Sequence, residues 1–169
     1  MTPTFARRPI VAYELLVLSL VAIGIISFGL WVHHMFTTGL TPLGLSFFTV
    51  ASTVIGIPSG IQIFATLATM ASGRLVIRTP MLYIIGFVII FVISGVSGIM
   101  VAAVPFDQQV HDSYFVVAHF HYVLVGGFVF PIVAGIYYWM PHVTGRRSDH
   151  GMGKLAFWLI FLGFNGTFW

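Results

Sequence analysis

His119 and His121 are two imidazoles separated by one residue, within a stretch of apolar and aromatic side chains. Imidazole is a common ligand of haem iron and of copper. Because an α-helix turns by about 100° per residue, side chains at i and i+2 leave opposite sides of it and cannot easily bind one ion together. The spacing therefore predicts that each histidine serves a separate partner, and it permits two haems flanking one helix.

Two further pairs of side chains have metal-binding chemistry. His33 and His34 are adjacent, and both could reach one copper ion where a helix end unwinds. His111 and Asp112 open the stretch that carries the first pair, and carboxylate and water ligands suit magnesium or manganese. The absence of cysteine excludes disulfides, cysteine-ligated iron–sulfur clusters, thioether-linked haem and thiolate copper. Any metal must then be held by histidine or oxygen ligands.

The composition is that of an integral membrane protein. Of the 169 residues, 59% are hydrophobic and 7% are charged, whereas soluble domains are about a quarter charged. We predict an all-α, polytopic transmembrane helix bundle without a cleavable signal peptide. Each of the first four apolar segments exceeds the roughly 20 residues that a membrane-spanning helix needs. The fifth is short, and we expect the chain to be a fragment that ends within it. The predicted spans are residues 12–32, 41–70, 81–102, 113–140 and 153–169.

The basic residues give the orientation of these spans. They occur in three segments that all fall on one side of the membrane, which the positive-inside rule makes the inner side. They form no stripe or patch, which argues against a nucleic-acid partner. His33, His34, His111 and Asp112 then lie at the outer end, with His119 roughly 10 Å deeper than Asp112. Ionisable residues within a membrane usually mark a functional site. The basic residues are Arg7, Arg8, Arg74, Arg78, Arg146, Arg147 and Lys154.

Other features have simpler interpretations. His142 and His150 lie in the inner loop beside Arg146, where a solvated surface role is expected. Pro58 lies within the second predicted span and should kink it. Whether this kink only shapes the bundle or also serves a function stays open.

Three sequence motifs resemble subunit I of the haem-copper terminal oxidases, most closely the cytochrome c oxidase branch. They are Trp31-Val-His-His-Met-Phe36, Ile57-Pro-Ser-Gly60 and His111-Asp-Ser-Tyr-Phe-Val-Val-Ala-His-Phe-His-Tyr-Val-Leu124. The similarity extends to Gly163-Phe-Asn-Gly-Thr-Phe168. The resemblance implies spans seven to ten and part of span eleven of a fold that has about twelve helices.

The resemblance also implies a role for each candidate ligand. His119 matches the proximal ligand of the high-spin haem, and His121 matches an axial ligand of the low-spin haem. His33 and His34 match two of the three copper histidines. His111 and Asp112 match the magnesium or manganese site.

The implied reaction is that of a proton-pumping cytochrome c oxidase, which reduces dioxygen to water. Electrons come from cytochrome c and pass through a low-spin haem to a high-spin haem and copper, with both haems expected to be of the a type. The implied partners are subunit II with its copper centre, subunit III and the lipid membrane. The third copper histidine, its cross-linked tyrosine, the second low-spin haem ligand and the main proton-channel acids lie outside this chain, so that the chain alone should be inactive.

One departure from the family pattern concerns proton uptake. The family pattern Pro-Thr-Gly-x-Lys is here Pro58-Ser-Gly-Ile-Gln62. Ser59 keeps a hydroxyl group, but Gln62 cannot take up a proton as an amine does. We expect either water aided by Ser52, Thr53 or Thr66, or a pathway of lower capacity. This departure and the basic inner loops favour a bacterial plasma membrane over the mitochondrial inner membrane.

Several alternatives remain. A quinol-oxidising haem-copper oxidase shares nearly every ligand, although Asp112-Ser-Tyr114 and Tyr122 favour the cytochrome c branch. Nitric oxide reductases are more distant. A transporter with a histidine proton relay would explain intramembrane imidazoles but would not bind haem. A purely structural membrane subunit would leave the outer cluster unexplained.

Overall fold

The computed structural model describes residues 1–146 and 149–168 of the chain, and every regular element in that part is helical. This agrees with the predicted all-α bundle. A 3₁₀ turn, Trp31–His34, follows the second helix, and a π-helical segment, Tyr122–Val129, lies between the seventh and eighth. The helices are α1 (Thr2–Ala6), α2 (Tyr13–Leu30), α3 (Pro42–Val54), α4 (Gly56–Ala71), α5 (Thr79–Ala102), α6 (Val104–Val110), α7 (Tyr114–His121), α8 (Phe130–Thr144) and α9 (His150–Phe168).

Four helical stretches of the described residues are long and apolar enough to cross a membrane, and they coincide closely with the first four predicted spans. The fifth predicted span forms α9, but this helix carries Lys154 and Asn165 and is not among the four. Its crossing of the membrane stays a prediction, and Trp169 lies outside the described residues. The four stretches are Tyr13–His34, Pro42–Ala71, Thr79–Ala102 and Tyr114–Thr144.

The core of the bundle forms around α5. Tyr83 of this helix is almost completely buried, and its ring lies 5.2 Å from that of Phe157 in α9 and 5.5 Å from that of Phe130 in α8. A Cβ atom at Gly126 would lie 2.6 Å from Cγ2 of Ile90, so that only glycine permits this approach of the π-helical segment to α5. Close packing here fixes the segment that follows the histidine pair.

The kink predicted at Pro58 is present as a helix break. Helix α3 ends at Val54 and α4 begins at Gly56. A proline ring clashes with the carbonyl group four residues earlier, which here belongs to Val54. The break turns α4 past α5, where a Cβ atom at Gly56 would lie 3.1 Å from Cδ1 of Ile99.

The basic segments meet at one end of the bundle, as the orientation argument requires. Arg8 Nη1 donates to the carbonyl oxygen of Ser72 at 3.0 Å, which joins the first segment to the α4–α5 loop. Thr79 Oγ1 lies 3.3 Å from His150 Nδ1, which joins that loop to the start of α9. Arg147 belongs to the third segment but lies outside the described residues.

Candidate metal centre

Three of the predicted ligands share one cavity. His33, His34 and His119 all line a cavity of about 520 Å³ between the kinked α3–α4 pair, α5 and α7. This volume lies within the range of roughly 300–1,000 Å³ that is typical of small-molecule and cofactor sites. Its walls are mainly apolar, which suits a large apolar ligand. The hydroxyl-bearing residues in the wall are Ser52, Ser59 and Ser94.

The 3₁₀ turn that follows α2 places His33 and His34 side by side. In the 3₁₀ turn Trp31–His34 the ring centroids are 4.2 Å apart and the two Nε2 atoms are 2.9 Å apart. Metal–imidazole bonds in zinc sites are about 2.0–2.1 Å long, so two nitrogens at this separation can bind one ion. The backbone at these residues leaves the α-helix, but it tightens into a 3₁₀ turn and does not unwind as predicted.

Ser52 orients the first of these rings. Its Oγ atom lies 2.9 Å from Nδ1 of His33, and Ser52 is buried in α3. Metal-binding histidines usually form such a hydrogen bond through the second ring nitrogen, which fixes the ring and its tautomer. Ser52, which the sequence suggested only for proton transfer, therefore has a second role in positioning His33.

Ser97 of α5 orients His119. Ser97 Oγ lies 3.1 Å from Nδ1 of His119 and 3.0 Å from the carbonyl oxygens of Ile93 and Ser94. Because the single hydroxyl proton is donated to a carbonyl group, Oγ accepts the proton on Nδ1. The neutral ring then keeps a lone pair on Nε2, which is the form that binds a metal.

A glycine makes room for the same ring. A Cβ atom at Gly98 would lie 3.0 Å from Cε1 of His119, so His119 lies directly against the backbone of α5. Any larger residue at this position must displace the imidazole.

His121 points to the other side of its helix. Its Nδ1 atom donates to the carbonyl oxygen of Val117 at 2.8 Å, which leaves Nε2 as the free ring nitrogen. The ring stacks on Phe168 of α9 at a centroid distance of 4.3 Å and an interplanar angle of 21°. Since His119 faces α5 and the cavity, the two rings have separate surroundings, as their spacing predicts.

The residue after His121 ties this helix to α9. Tyr122 is buried, and its hydroxyl group donates to Asn165 Oδ1 at 2.9 Å, while Asn165 Nδ2 donates to the carbonyl oxygen of Phe161 at 2.7 Å. The π-helical segment begins at this tyrosine, and such segments frequently occur at functional sites. The sequence contains no local signal for a contact between residues 43 positions apart.

The closest partner of His111 is Asp107, which the sequence analysis did not select. Asp107 is 4% exposed, and its Oδ2 atom lies 2.8 Å from Nδ1 of His111. The side chain of Asp112 is 96% exposed and lies 4.0 Å from Nε2 of His111. Asp107 lies in α6 and His111 directly follows this helix, so that their i,i+4 spacing could have revealed the contact. Metal binding by His111 and Asp112 stays a prediction.

No group of three or more histidine, cysteine, aspartate or glutamate side chains gathers as a metal site within residues 1–146 and 149–168. The adjacent His33 and His34 are two candidate ligands, and copper binding by them stays a prediction.

The two residues predicted for proton uptake differ in position. Ser59 lines the cavity, whereas Gln62, one turn further along α4, does not. The Nε2 atom of Gln62 is buried and finds no hydrogen-bond partner in the described part of the chain. A buried, unpaired amide group is unfavourable by about 1–3 kcal/mol, which favours an ordered water at this position. Thr53 Oγ1 already donates to the carbonyl oxygen of Thr49 at 2.8 Å.

Comparisons with known proteins agree with the motifs. A family model described as "Cytochrome C and Quinol oxidase polypeptide I" matches residues 1–169. The chain is 48% identical over 166 residues to cytochrome c oxidase subunit 1 of Bacillus subtilis, covering 98% of this chain and 27% of that protein. It is 47% identical over 165 residues to cytochrome c oxidase subunit 1 of Cereibacter sphaeroides, covering 98% of this chain and 29% of that protein. It is also 47% identical to a probable cytochrome c oxidase subunit 1-beta of Nocardia farcinica, covering 98% of this chain and 28% of that protein.

Proposed function

The chain belongs to the family of cytochrome c and quinol oxidase polypeptide I, and we propose that it forms part of the oxygen-reducing core of a proton-pumping terminal oxidase. The complete enzyme transfers electrons from cytochrome c to dioxygen in aerobic respiration. The observation that carries the proposal is the single cavity that His33, His34 and His119 line. Its apolar walls and its three imidazoles fit a haem that faces a copper ion.

The donor set supports specific assignments. We assign His119 to the iron of the high-spin haem, His121 to the iron of the low-spin haem, and His33 and His34 to copper. His119 and His121 each have Nδ1 in a hydrogen bond that leaves Nε2 available, which is the pattern of metal-binding histidines. When bound, the haems and copper supply electron transfer and the binding and reduction of dioxygen.

The protein's own residues position these groups. Ser97 holds His119 in one tautomer, and Ser52 holds His33. The glycine at position 98 lets the ring of His119 lie against α5. The mainly apolar lining offers water few hydrogen-bond partners, and electrostatic interactions are stronger where water is excluded.

A third metal site is proposed at the outer end of α7, where His111 and Asp112 are candidate ligands for magnesium or manganese. The carboxylate of Asp107 lies beside Nδ1 of His111. A carboxylate at the second ring nitrogen is a common way to orient a metal-binding histidine. The exposed Asp112 side chain is free to turn toward an ion beside His111.

Proton uptake is proposed to involve Ser59 and Gln62. Ser59 lines the cavity. The buried amide group of Gln62, one turn further along α4, can hold a water molecule. Because an amide does not accept a proton as an amine does, the side chain would order water rather than carry the proton itself.

The names of the relatives support a proposal for the electron donor and the partners. The family description includes quinol oxidases, and a quinol-oxidising enzyme is therefore the second candidate. The matched proteins named as cytochrome c oxidases favour cytochrome c. We propose that subunit II with a copper centre and subunit III complete the complex, and the bacterial sources of the relatives support a bacterial plasma membrane.

Purification of the complete oxidase complex tests this function. We expect Soret absorbance from two haems, copper by metal analysis, and oxygen consumption with reduced cytochrome c. Oxygen consumption with quinol alone would favour the second candidate. A complex without Soret absorbance would contradict the oxidase function and favour a histidine-relay transporter.

A further inference from the structure

A second cavity lies at the inner, basic end of the bundle and shares no lining residue with the cavity at His33, His34 and His119. It has a volume of about 720 Å³ and lies between α1, the start of α5, the end of α8 and the start of α9. These ends of the spans are at the depth of lipid headgroups in the orientation derived above. Its main lining residues are Phe5, Arg78, Tyr137, Tyr138, His142 and His150.

Arg78 is the permanently charged side chain among the described residues that line this cavity. Arg78 immediately precedes α5, and its side chain is exposed. His142 donates from Nδ1 to the carbonyl oxygen of Tyr138 at 3.0 Å, so that Nε2 of the neutral ring carries a lone pair and donates no hydrogen bond to an anion. No carboxylate is among the described residues that line the cavity. The nearby Asp149 accepts hydrogen bonds from the backbone N–H groups of Gly151 at 2.6 Å and Met152 at 3.2 Å. Its carboxylate therefore caps the start of α9.

The other walls are aromatic and well supported. The rings of Phe5 and Tyr138 meet edge to face with centroids 5.9 Å apart. Tyr137 stacks on the buried Tyr83 at 5.8 Å. Aromatic side chains at the membrane interface present an apolar face beside a polar edge. The cavity therefore combines an anion-binding corner with apolar walls.

We propose that this cavity binds the headgroup of an anionic phospholipid, with the phosphate beside Arg78 and the upper acyl chain against Phe5, Tyr137 and Tyr138. Basic pockets between transmembrane helices on the inner side are suited to anionic headgroups. A free inorganic anion would leave the aromatic walls uncovered. A zwitterionic lipid has no net negative charge for Arg78 to attract. The site is separate from the proposed oxygen chemistry and does not depend on it.

Lipid retention by the complete complex tests the proposal. The complex is delipidated in detergent and titrated with phosphatidylglycerol or phosphatidylcholine, and bound lipid is counted by native mass spectrometry. We expect Arg78→Gln to weaken phosphatidylglycerol binding about fivefold, the effect of one basic residue near an anionic lipid, and to leave phosphatidylcholine unchanged. Arg74→Gln is the matched control, because Arg74 is exposed on the same loop but does not line the cavity.

Two further measurements keep the result decisive. Arg78→Glu should lower phosphatidylglycerol binding more than Arg78→Gln does, whereas a variant that merely disturbs folding would lose both lipids and its normal melting temperature. Equal binding by the Arg78 and Arg74 variants would overturn the proposal. Displacement of the lipid by millimolar inorganic phosphate would also overturn it, by assigning the site to a free anion.

Discussion

The Nδ1 atom of His119 lies 3.1 Å from the Oγ atom of Ser97, and this contact joins α7 to α5 at the candidate oxygen site. Ser97 donates its own proton to a backbone carbonyl group of α5. It is therefore an acceptor that selects one tautomer of His119. The ring nitrogen proposed to bind iron is determined by a serine on a neighbouring helix.

Replacement of Ser97 by alanine should disturb the high-spin haem selectively. The loss of this kind of partner typically lowers metal affinity or activity by about 10- to 100-fold. We expect a shifted high-spin haem spectrum and lower oxidase activity in the complete complex, with an unchanged low-spin band. Ser97→Thr keeps the hydroxyl group and should behave like the wild type. Wild-type spectra for Ser97→Ala would show that Ser97 does not position His119.

Gly98→Ala should have a similar effect for a steric reason. The added Cβ atom would lie 3.0 Å from Cε1 of His119, so the ring must move. We expect a reduced high-spin haem content, measured by carbon monoxide difference spectra. Gly135→Ala in α8 is the control, since a Cβ atom there meets nothing within 4 Å and Gly135 does not line the cavity. Equal haem content in the two variants would contradict the steric argument.

Ser52→Ala should lower copper occupancy. The variant removes the hydroxyl group that lies 2.9 Å from Nδ1 of His33, and we expect about tenfold weaker copper retention during dialysis against a chelator. Thr53→Ala removes a neighbouring hydroxyl group that bonds only to the backbone of its own helix, and its copper content should not change. A loss of copper in both variants would point to a general disturbance of α3.

Gln62→Leu should slow proton uptake if the buried amide orders water. The leucine side chain cannot hydrogen-bond, so we expect slower reduction of the high-spin haem in stopped-flow measurements, with normal reduction of the low-spin haem. Gln62→Lys restores the amine of the family pattern and should accelerate reduction of the high-spin haem. Unchanged turnover and haem reduction in Gln62→Leu would remove this residue from the proton pathway.

Much of the fold could be predicted from composition because lipid imposes simple rules. Apolar length located the first four spans, and Pro58 located the break before α4. The crossing of α9 could not be predicted as clearly, since Lys154 and Asn165 lower its apolar character. The opposite directions of His119 and His121 followed from helix geometry alone.

The supporting residues of the site could not be predicted in the same way. Ser97 lies 22 residues from His119, and Ser52 lies 19 residues from His33. Which serine meets which histidine depends on how the helices pack, and helix periodicity does not contain that information. Asp107 is an exception, because its spacing from His111 within one short helix and its end was visible in the sequence.

The central claim is that His119 and His121 bind different haems. Optical and resonance Raman spectra of the complete complex should be recorded for His119→Ala and His121→Ala. The account predicts that His119→Ala loses the high-spin, carbon monoxide-binding haem signal, whereas His121→Ala loses the low-spin signal. Identical spectral changes in the two variants would contradict it.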